Sequence, residues 1–315
     1  MALFLTEAEL REVLTAEEAL RAVEAALRDQ ALGRALSLPR LQVRLGSGLF
    51  HLKAGAAFGR VGFKAYSIFP GVERFHCLLF DGLTGELEAV IQADYLGRLR
   101  TGAAGAVAAK YLARADAGRV GLFGSGRQAE AQLEVLALVR KPREVKVFSP
   151  NPQHRADFAA RAARKLGIAV APVADPAEAA READIVVTAT NSPGPVVRGE
   201  WLRPGCHVNV VGATGRLRRE LDLGAWGRAD RIFGDSVGQC RLDSGDLLAA
   251  TEAGVVAWEA VAELGQVVAG LHPGRRSDAE VTVFRAGGLG VWDVAVAVRA
   301  CELARARGLG WEVRL

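Results

Sequence analysis

Three basic residues stand at positions where a charge is costly. Lys64 interrupts the apolar run Val61-Gly-Phe-Lys-Ala-Tyr66, and Arg44 alternates with apolar neighbours in Leu41-Gln-Val-Arg-Leu45. Arg100 lies in Leu99-Arg-Thr-Gly-Ala103, where a helix over 101–113 is read to begin. A cation taken out of water without a partner is strongly unfavourable. Taken singly, each of the three also fits a solvent-facing position on a half-exposed sheet. Arg100 points harder to a ligand, because a cation at a helix start opposes the dipole unless an anion sits beside it. Asp235 is a carboxylate directly after the short apolar run Arg231-Ile-Phe-Gly234. It could carry protons, or simply cap the helix that follows.

A second chemistry is written in residues 119–129. The apolar strand Val120–Phe123 runs into Gly124-x-Gly126-x-x-Ala129, and a helical pattern follows at Leu133, Leu136, Ala137 and Val139. That order is the first strand, phosphate loop and helix of a dinucleotide-binding unit. Gly124 permits the tight turn, Gly126 lets a pyrophosphate approach the backbone, and Ala129 lets the helix pack close to the strand. The helix start then offers N–H groups and a positive dipole end to the phosphates. The acid that usually follows the second strand and binds a ribose 2′-OH is missing. Ser149-Pro-Asn151 stands there, with His154 and Arg155 close behind. This set suits a 2′-phosphate better, so the cofactor reads as NAD or NADP, with NADP favoured.

Further elements must position these residues. Strands are read at 144–148, 168–173, 184–190, 206–212 and 231–234, with helices at 127–140, 153–166 and 176–182. The strand runs are apolar on both faces, as in a buried parallel sheet. Before them come two amphipathic helices, Glu7–Leu14 and Thr15–Leu32, the second opening on the capping box Thr15-Ala-Glu-Glu18. Strand-like runs follow at 41–45, 48–53, 61–69, 76–80 and 87–91, the last two joined by the turn Asp81-Gly-Leu-Thr-Gly85. The fold class is therefore α/β: a Rossmann-type doubly wound parallel sheet plus an α+β substrate-binding and dimerisation domain. Residues 1–114, completed by a C-terminal helix within 290–315, form the second of these, and 115–289 the dinucleotide domain.

Composition sets the outer limits. The chain has 315 residues, 50% hydrophobic and 24% charged, with a net charge of +4. That excess is too small and too dispersed for a nucleic-acid partner. No apolar run approaches the roughly 18 residues of a membrane span. The first residues lack the pattern of a signal peptide, and a cytoplasmic location is expected. Cys77, Cys206, Cys240 and Cys301 lack metal or disulfide spacing, and no metal is expected.

The sequence resembles the ornithine cyclodeaminase/mu-crystallin family over nearly its whole length. The matching segments include Val61-Gly-Phe-Lys64, Asp81-Gly-Leu-Thr-Gly85, Leu99-Arg-Thr-Gly-Ala103 and Leu122-Phe-Gly-Ser-Gly-Arg-Gln-Ala129. They continue through Ala183-Asp-Ile-Val-Val-Thr-Ala-Thr190, Val208-Asn-Val-Val-Gly212, Arg219-Glu-Leu-Asp222, Gly234-Asp-Ser236 and Thr282-Val-Phe-Arg-Ala-Gly-Gly288. The resemblance implies a homodimer that binds a nicotinamide cofactor and a small amino or imino acid. It implies that Arg44, Lys64 and Arg100 hold the substrate carboxylate and polarise the reacting centre. It places Asp235 as the catalytic carboxylate, acting with Lys64. Ser125, Gly126, Arg127 and Gln128 would hold the pyrophosphate, with Thr188, Thr190 and Val211 lining the cofactor. Lys53-Ala-Gly55 stands where a Met-Pro pair is usual, and Gly97 replaces the common Thr.

Three activities follow from the resemblance. The first is ornithine cyclodeamination, in which ornithine is oxidised to an imine, its δ-amine closes the ring, ammonia leaves and hydride returns to give proline. The second is an imine reductase or alanine dehydrogenase. The third is a non-catalytic nucleotide-binding protein. A lysine at 53 that points inward would disfavour a cationic substrate side chain.

Overall fold

A computed structural model describes residues 1–212 and 214–314. The chain divides into two units, Met1–Ala103 with Gly288–Leu315, and Ala104–Gly287. The first begins with β1 (Ala2–Leu5), α1 (Glu7–Val13) and α2 (Ala16–Ala31). The complete capping box closes α1: Thr6 Oγ1 accepts from Glu9 N–H while Glu9 accepts from Thr6 N–H. At α2 only half of the expected box forms. Thr15 accepts from Glu18 N–H, but the Glu18 carboxylate accepts from Arg299 Nε at 2.7 Å instead of reaching back.

Five strands follow the short β2 (Leu36–Ser37): β3 (Leu41–Leu45), β4 (Gly48–Ala57), β5 (Arg60–Phe69), β6 (Val72–Asp81) and β7 (Leu87–Gln92). All five runs read from the sequence are present, four of them longer than read. β3 to β7 pair antiparallel in sequence order, and β1 adds parallel to β7. Register decides what the sheet presents. Lys53 on β4 lies opposite Lys64 on β5, which lies opposite Cys77 on β6. Directly opposed side chains share a face, so two lysines are forced to be neighbours.

Helix α3 (Asp94–Leu112) begins earlier than read. Asp94 supplies negative charge in its first turn, and Glu7 accepts from the N–H groups of Asp94 and Tyr95. Arg100 thus lies well inside the helix rather than at its start, so the dipole reasoning does not apply to it.

The second unit is built on β8 (Arg119–Phe123), α4 (Arg127–Val139), β9 (Glu144–Phe148), α5 (Pro152–Leu166), β10 (Ala169–Pro172), α6 (Pro176–Ala180), β11 (Ile185–Thr188) and β12 (His207–Val210). It continues with α7 (Leu223–Gly227), β13 (Arg231–Gly234), α8 (Val237–Asp243), α9 (Gly245–Glu252), β14 (Val261–Glu263), α10 (Leu264–Val268) and β15 (Thr282–Arg285). The sheet is parallel throughout, in the order β10-β9-β8-β11-β12-β15-β13-β14. Ile185 and Val187 enter one core cluster and Val186 the other, so β11 is buried on both faces. The order reverses between β8 and β11, and a doubly wound sheet binds its ligand at the strand ends there. Two strands of the sheet, β14 and β15, are absent from the sequence reading. Thr282–Arg285 is a buried strand that inserts between β12 and the expected sixth strand, β13.

The chain then returns to the first unit as α11 (Gly290–Arg307) and β16 (Trp311–Val313), the latter pairing antiparallel with β1. The start of α11 presses onto β4. A Cβ on Gly55 would lie 2.5 Å from Val291 N, and one on Gly290 would lie 2.3 Å from Ala54 O. Only glycine allows that approach, and it places the first turns of α11 over the face that carries Lys53 and Lys64. No helix among the described residues is long and apolar enough to cross a membrane.

Candidate active site

In the first unit, the basic residues meet on a carboxylate that sequence reasoning missed. Asp293 Oδ1 lies 2.7 Å from Lys64 Nζ and accepts from Arg100 Nε at 2.9 Å. All three side chains are buried, Asp293 completely. The second oxygen, Oδ2, is buried without a hydrogen-bond partner. A lone acid in the otherwise apolar stretch Gly290-Val-Trp-Asp-Val-Ala-Val-Ala297 was the available signal.

Lys53 joins the same cluster. A Cβ on Gly288 would lie 2.8 Å from Lys53 Nζ and 2.7 Å from Arg100 Nη1, so both cations converge on one bare stretch of backbone. Gly97 makes similar room for Lys64, whose Nζ is 2.9 Å from where a Cβ would sit. His51 stacks on Tyr66 at 4.4 Å between ring centroids, and Lys64 Nζ lies 5.6 Å from the Tyr66 ring.

The electrostatics follow from burial and crowding. Burial, reinforced by Arg100, lowers the Lys64 ammonium to about 8, although Asp293 opposes the shift. Burial with Arg100, Arg40 and Lys64 nearby pushes Lys53 well below its usual range. Burial would raise the Asp293 carboxyl, but Arg100, Lys64 and Lys53 outweigh it and hold it low.

Arg44 does not join this cluster. All five residues of β3 are exposed, Arg44 pairs in register with Leu49, and it makes no hydrogen bond or ion pair among the described residues. The solvent-facing alternative is the one that the structure contains. Arg40, which the sequence reading passed over, instead hydrogen-bonds Tyr66 and acts on Lys53.

In the second unit, the glycine loop has the features read from it. Gly124 has φ +112°, and a Cβ there would lie 2.4 Å from Ala189 O. A Cβ on Gly126 would meet nothing within 4 Å, and Ala129 is fully buried. Gly126 is the N-cap of α4 and provides no side chain to its N–H groups. Arg127 is exposed and Gln128 half-buried at this helix start. Across the loop, Ser125 Oγ donates to Ser149 Oγ at 2.9 Å. Arg155 Nη1 donates to Ser149 O at 3.0 Å, and Asn151 Oδ1 accepts from His154 N–H as the cap of α5. An open loop and an uncapped helix start fit a dinucleotide, while the end of β9 departs from the usual fingerprint in carrying no carboxylate.

The ends of β11 and β12 are tied by Glu220, also missed. Its buried carboxylate accepts from Thr188 Oγ1 at 2.9 Å, from Thr190 N–H and Oγ1 at 2.7 Å each, and from Gly212 N–H at 2.7 Å. Thr188, Thr190 and the neighbouring Val211 are thereby held in fixed order. Asp235 is buried as well. Oδ1 accepts from Ser236 N–H at 2.9 Å and Oδ2 from Gly287 N–H at 2.7 Å. The cap of α8 is Ser236 and not Asp235. Among the described residues, no group of three or more His, Cys, Asp or Glu could hold a metal ion.

The chain is similar to solved enzymes over its whole length. A Δ1-pyrroline-2-carboxylate reductase of Thermococcus litoralis, solved with NADH and L-proline, superposes with a TM-score of 0.95 at 32% identity, covering 99% of this chain and 100% of that one. An archaeal alanine dehydrogenase dimer with bound NAD gives 0.95 at 35%, covering 100% and 99%. The iminosuccinate reductase of Paracoccus denitrificans, solved with NAD+, gives 0.94 at 34%, again covering 100% and 99%. The ornithine cyclodeaminase/mu-crystallin family matches residues 1–307, and the chain belongs to that family.

Proposed function

We propose that this protein is a nicotinamide-dependent imine reductase acting on a small imino acid, and in reverse a dehydrogenase of the matching amino acid. The observation that carries this reading is the inward position of Lys53 beside Lys64 and Arg100. Cations crowded around one carboxylate favour an anionic ligand, and the planar Arg100 fork suits a substrate carboxylate. A substrate with a second ammonium would be repelled by the same groups, which disfavours the cyclising deamination of ornithine. The related pyrroline-2-carboxylate reductase, alanine dehydrogenase and iminosuccinate reductase support the same class.

A nicotinamide cofactor held at the loop of Gly124, Ser125, Gly126, Arg127 and Gln128 would supply hydride to an imine carbon, or take it up in reverse. Lys53 and Arg100 hold the carboxylate, with Arg40 beside them and Arg44 given no part. Lys64 gives its ammonium proton to the imine nitrogen, so that one hydride and one proton convert C=N to the amine. Asp235, with both oxygens accepting backbone N–H groups, holds the Gly287 turn as a positioning residue.

The assay offers L-ornithine, pyrroline-2-carboxylate, or pyruvate with ammonia, each with nicotinamide cofactor. Cofactor oxidation by an imine, with no proline from ornithine, is expected; proline and ammonia in excess over cofactor would refute the reading. Reduction requires charged Lys64, so its kcat/KM should fall as pH rises through about 8, and amino-acid oxidation should rise through the same range. Lys64→Met should lower turnover by about 100-fold or more.

Ser149, Asn151 and Arg155 support acceptance of a 2′-phosphate, although the three solved relatives hold NAD or NADH. Ser149→Asp should cost NADPH about tenfold or more in kcat/KM and spare NADH, because it sets a carboxylate against the phosphate. Equal loss with both cofactors would count against the assignment.

A homodimer is supported by the exposed apolar residues Leu41, Val43, Leu45, Phe69 and Val72 on neighbouring strands and by the dimeric alanine dehydrogenase. Sedimentation at micromolar concentration should give twice the chain mass, with Val43→Asp/Leu45→Asp reverting to one chain. A monomeric parent protein would exclude it.

A further inference from the structure

We propose that Asp293 is the positioning residue of the cation cluster, fixing Lys64 and Arg100 relative to one another and supplying the counter-charge that lets Lys64 carry a proton. This rests on the reading of Lys64 as the proton carrier.

A carboxylate on α11 has no packing reason to be where it is. Val291, Trp292, Val294 and Ala295 around it are fully buried and apolar. A buried ion pair is often no more stable than a hydrophobic replacement, so stability is weak ground for its presence. Its geometry is specific. One oxygen, Oδ1, serves both Lys64 Nζ at 2.7 Å and Arg100 Nε at 2.9 Å, and so brings together two cations that repel. By engaging the Nε edge, Asp293 turns the Nη1 and Nη2 fork of Arg100 toward Gly288, where Lys53 Nζ also arrives. Trp292, the preceding residue, has its ring 5.8 Å from the Arg100 guanidinium carbon, so two consecutive residues of α11 flank Arg100.

The groups that face Lys64 are Arg100 on α3, Lys53 on β4, Tyr66 on its own strand, Cys77 on β6 and Asp293 on α11. Burial keeps the Cys77 thiol neutral. Asp293 is the negative member of that set. Without it, burial and Arg100 act on Lys64 unopposed. The ammonium is then held lower still, and less of it is present to give the imine nitrogen its proton.

The test is titration of Lys64 in the intact protein by NMR of 13Cε-lysine, with Lys64→Met used to assign the signal. The wild-type midpoint should lie near 8. In Asp293→Asn it should fall by about one pH unit or more, as expected on losing an opposite charge at contact distance. Asp293→Glu should restore most of it. The falling limb of the reductive pH profile should move with the midpoint, which a merely structural role would not produce. Folded Asp293→Asn with an unchanged midpoint would overturn the proposal. Should Asp293→Asn fail to fold, Asp293→Ser is read in its place: a midpoint lowered by about one pH unit or more supports the proposal, and a wild-type midpoint overturns it. A shifted midpoint in a protein that turns over no imine would refute the function and leave the role of Asp293 standing.

Discussion

The salt bridge of Asp293 with Lys64 and Arg100 is the interaction on which the rest of the first unit depends. A charged carboxylate in that interior is tolerable only when cations reach it, so three elements far apart in sequence must converge. β5 brings Lys64, α3 brings Arg100, and α11 brings Asp293 after a chain excursion through the whole second unit. The glycines at 55, 97, 288 and 290 share one explanation. Each removes a Cβ where backbone or a cationic side chain must come within about 3 Å. Cross-strand pairing sets Lys53 beside Lys64, and burial among these cations pushes its ammonium well below the usual range, so an anionic ligand that restores the charge is the natural complement of the cluster.

The second unit obeys a different constraint. Its parallel sheet leaves strand ends and a helix start whose backbone groups have to be ordered without occupying the space a dinucleotide needs. Glu220 orders the ends of β11 and β12 from beneath, taking N–H and O–H donors from Thr188, Thr190 and Gly212. Ser125 and Ser149 bridge the loop after β8 to the end of β9. Asp235 does for the Gly287 turn what Glu220 does for the strand ends. Each ties a loop to its neighbour through a polar side chain.

Much of this was legible in the sequence, and the failures have physical reasons. Apolar strands with a Gly-x-Gly-x-x-Ala turn announce a parallel sheet because local backbone geometry demands those residues. β15 was not recognised as part of that sheet because strand order is a long-range property that local pattern does not carry. The start of α3 was set too late, since the groups that satisfy its first turn come from Glu7. Arg44 and Lys64 both alternate with apolar neighbours, yet β3 is exposed and β5 is covered by α11, and nothing local distinguishes them. Asp293 and Glu220 were missed for the same reason. An acid reveals its function through its partners, which here lie as far as 32 residues away for Glu220 and 193 or more for Asp293.

The central claim is that the cluster around Lys53, Lys64 and Arg100 receives the carboxylate of a small imino acid. Calorimetric titration of the NADH-loaded protein with pyrrole-2-carboxylate, a planar carboxylate of the same size as a cyclic imino acid, tests it directly. Binding that weakens by about tenfold or more in Lys53→Met, with no detectable binding of L-ornithine, is the expected result, since a charged hydrogen-bond donor is removed. Unchanged affinity in Lys53→Met, or ornithine binding more tightly than pyrrole-2-carboxylate, would contradict it.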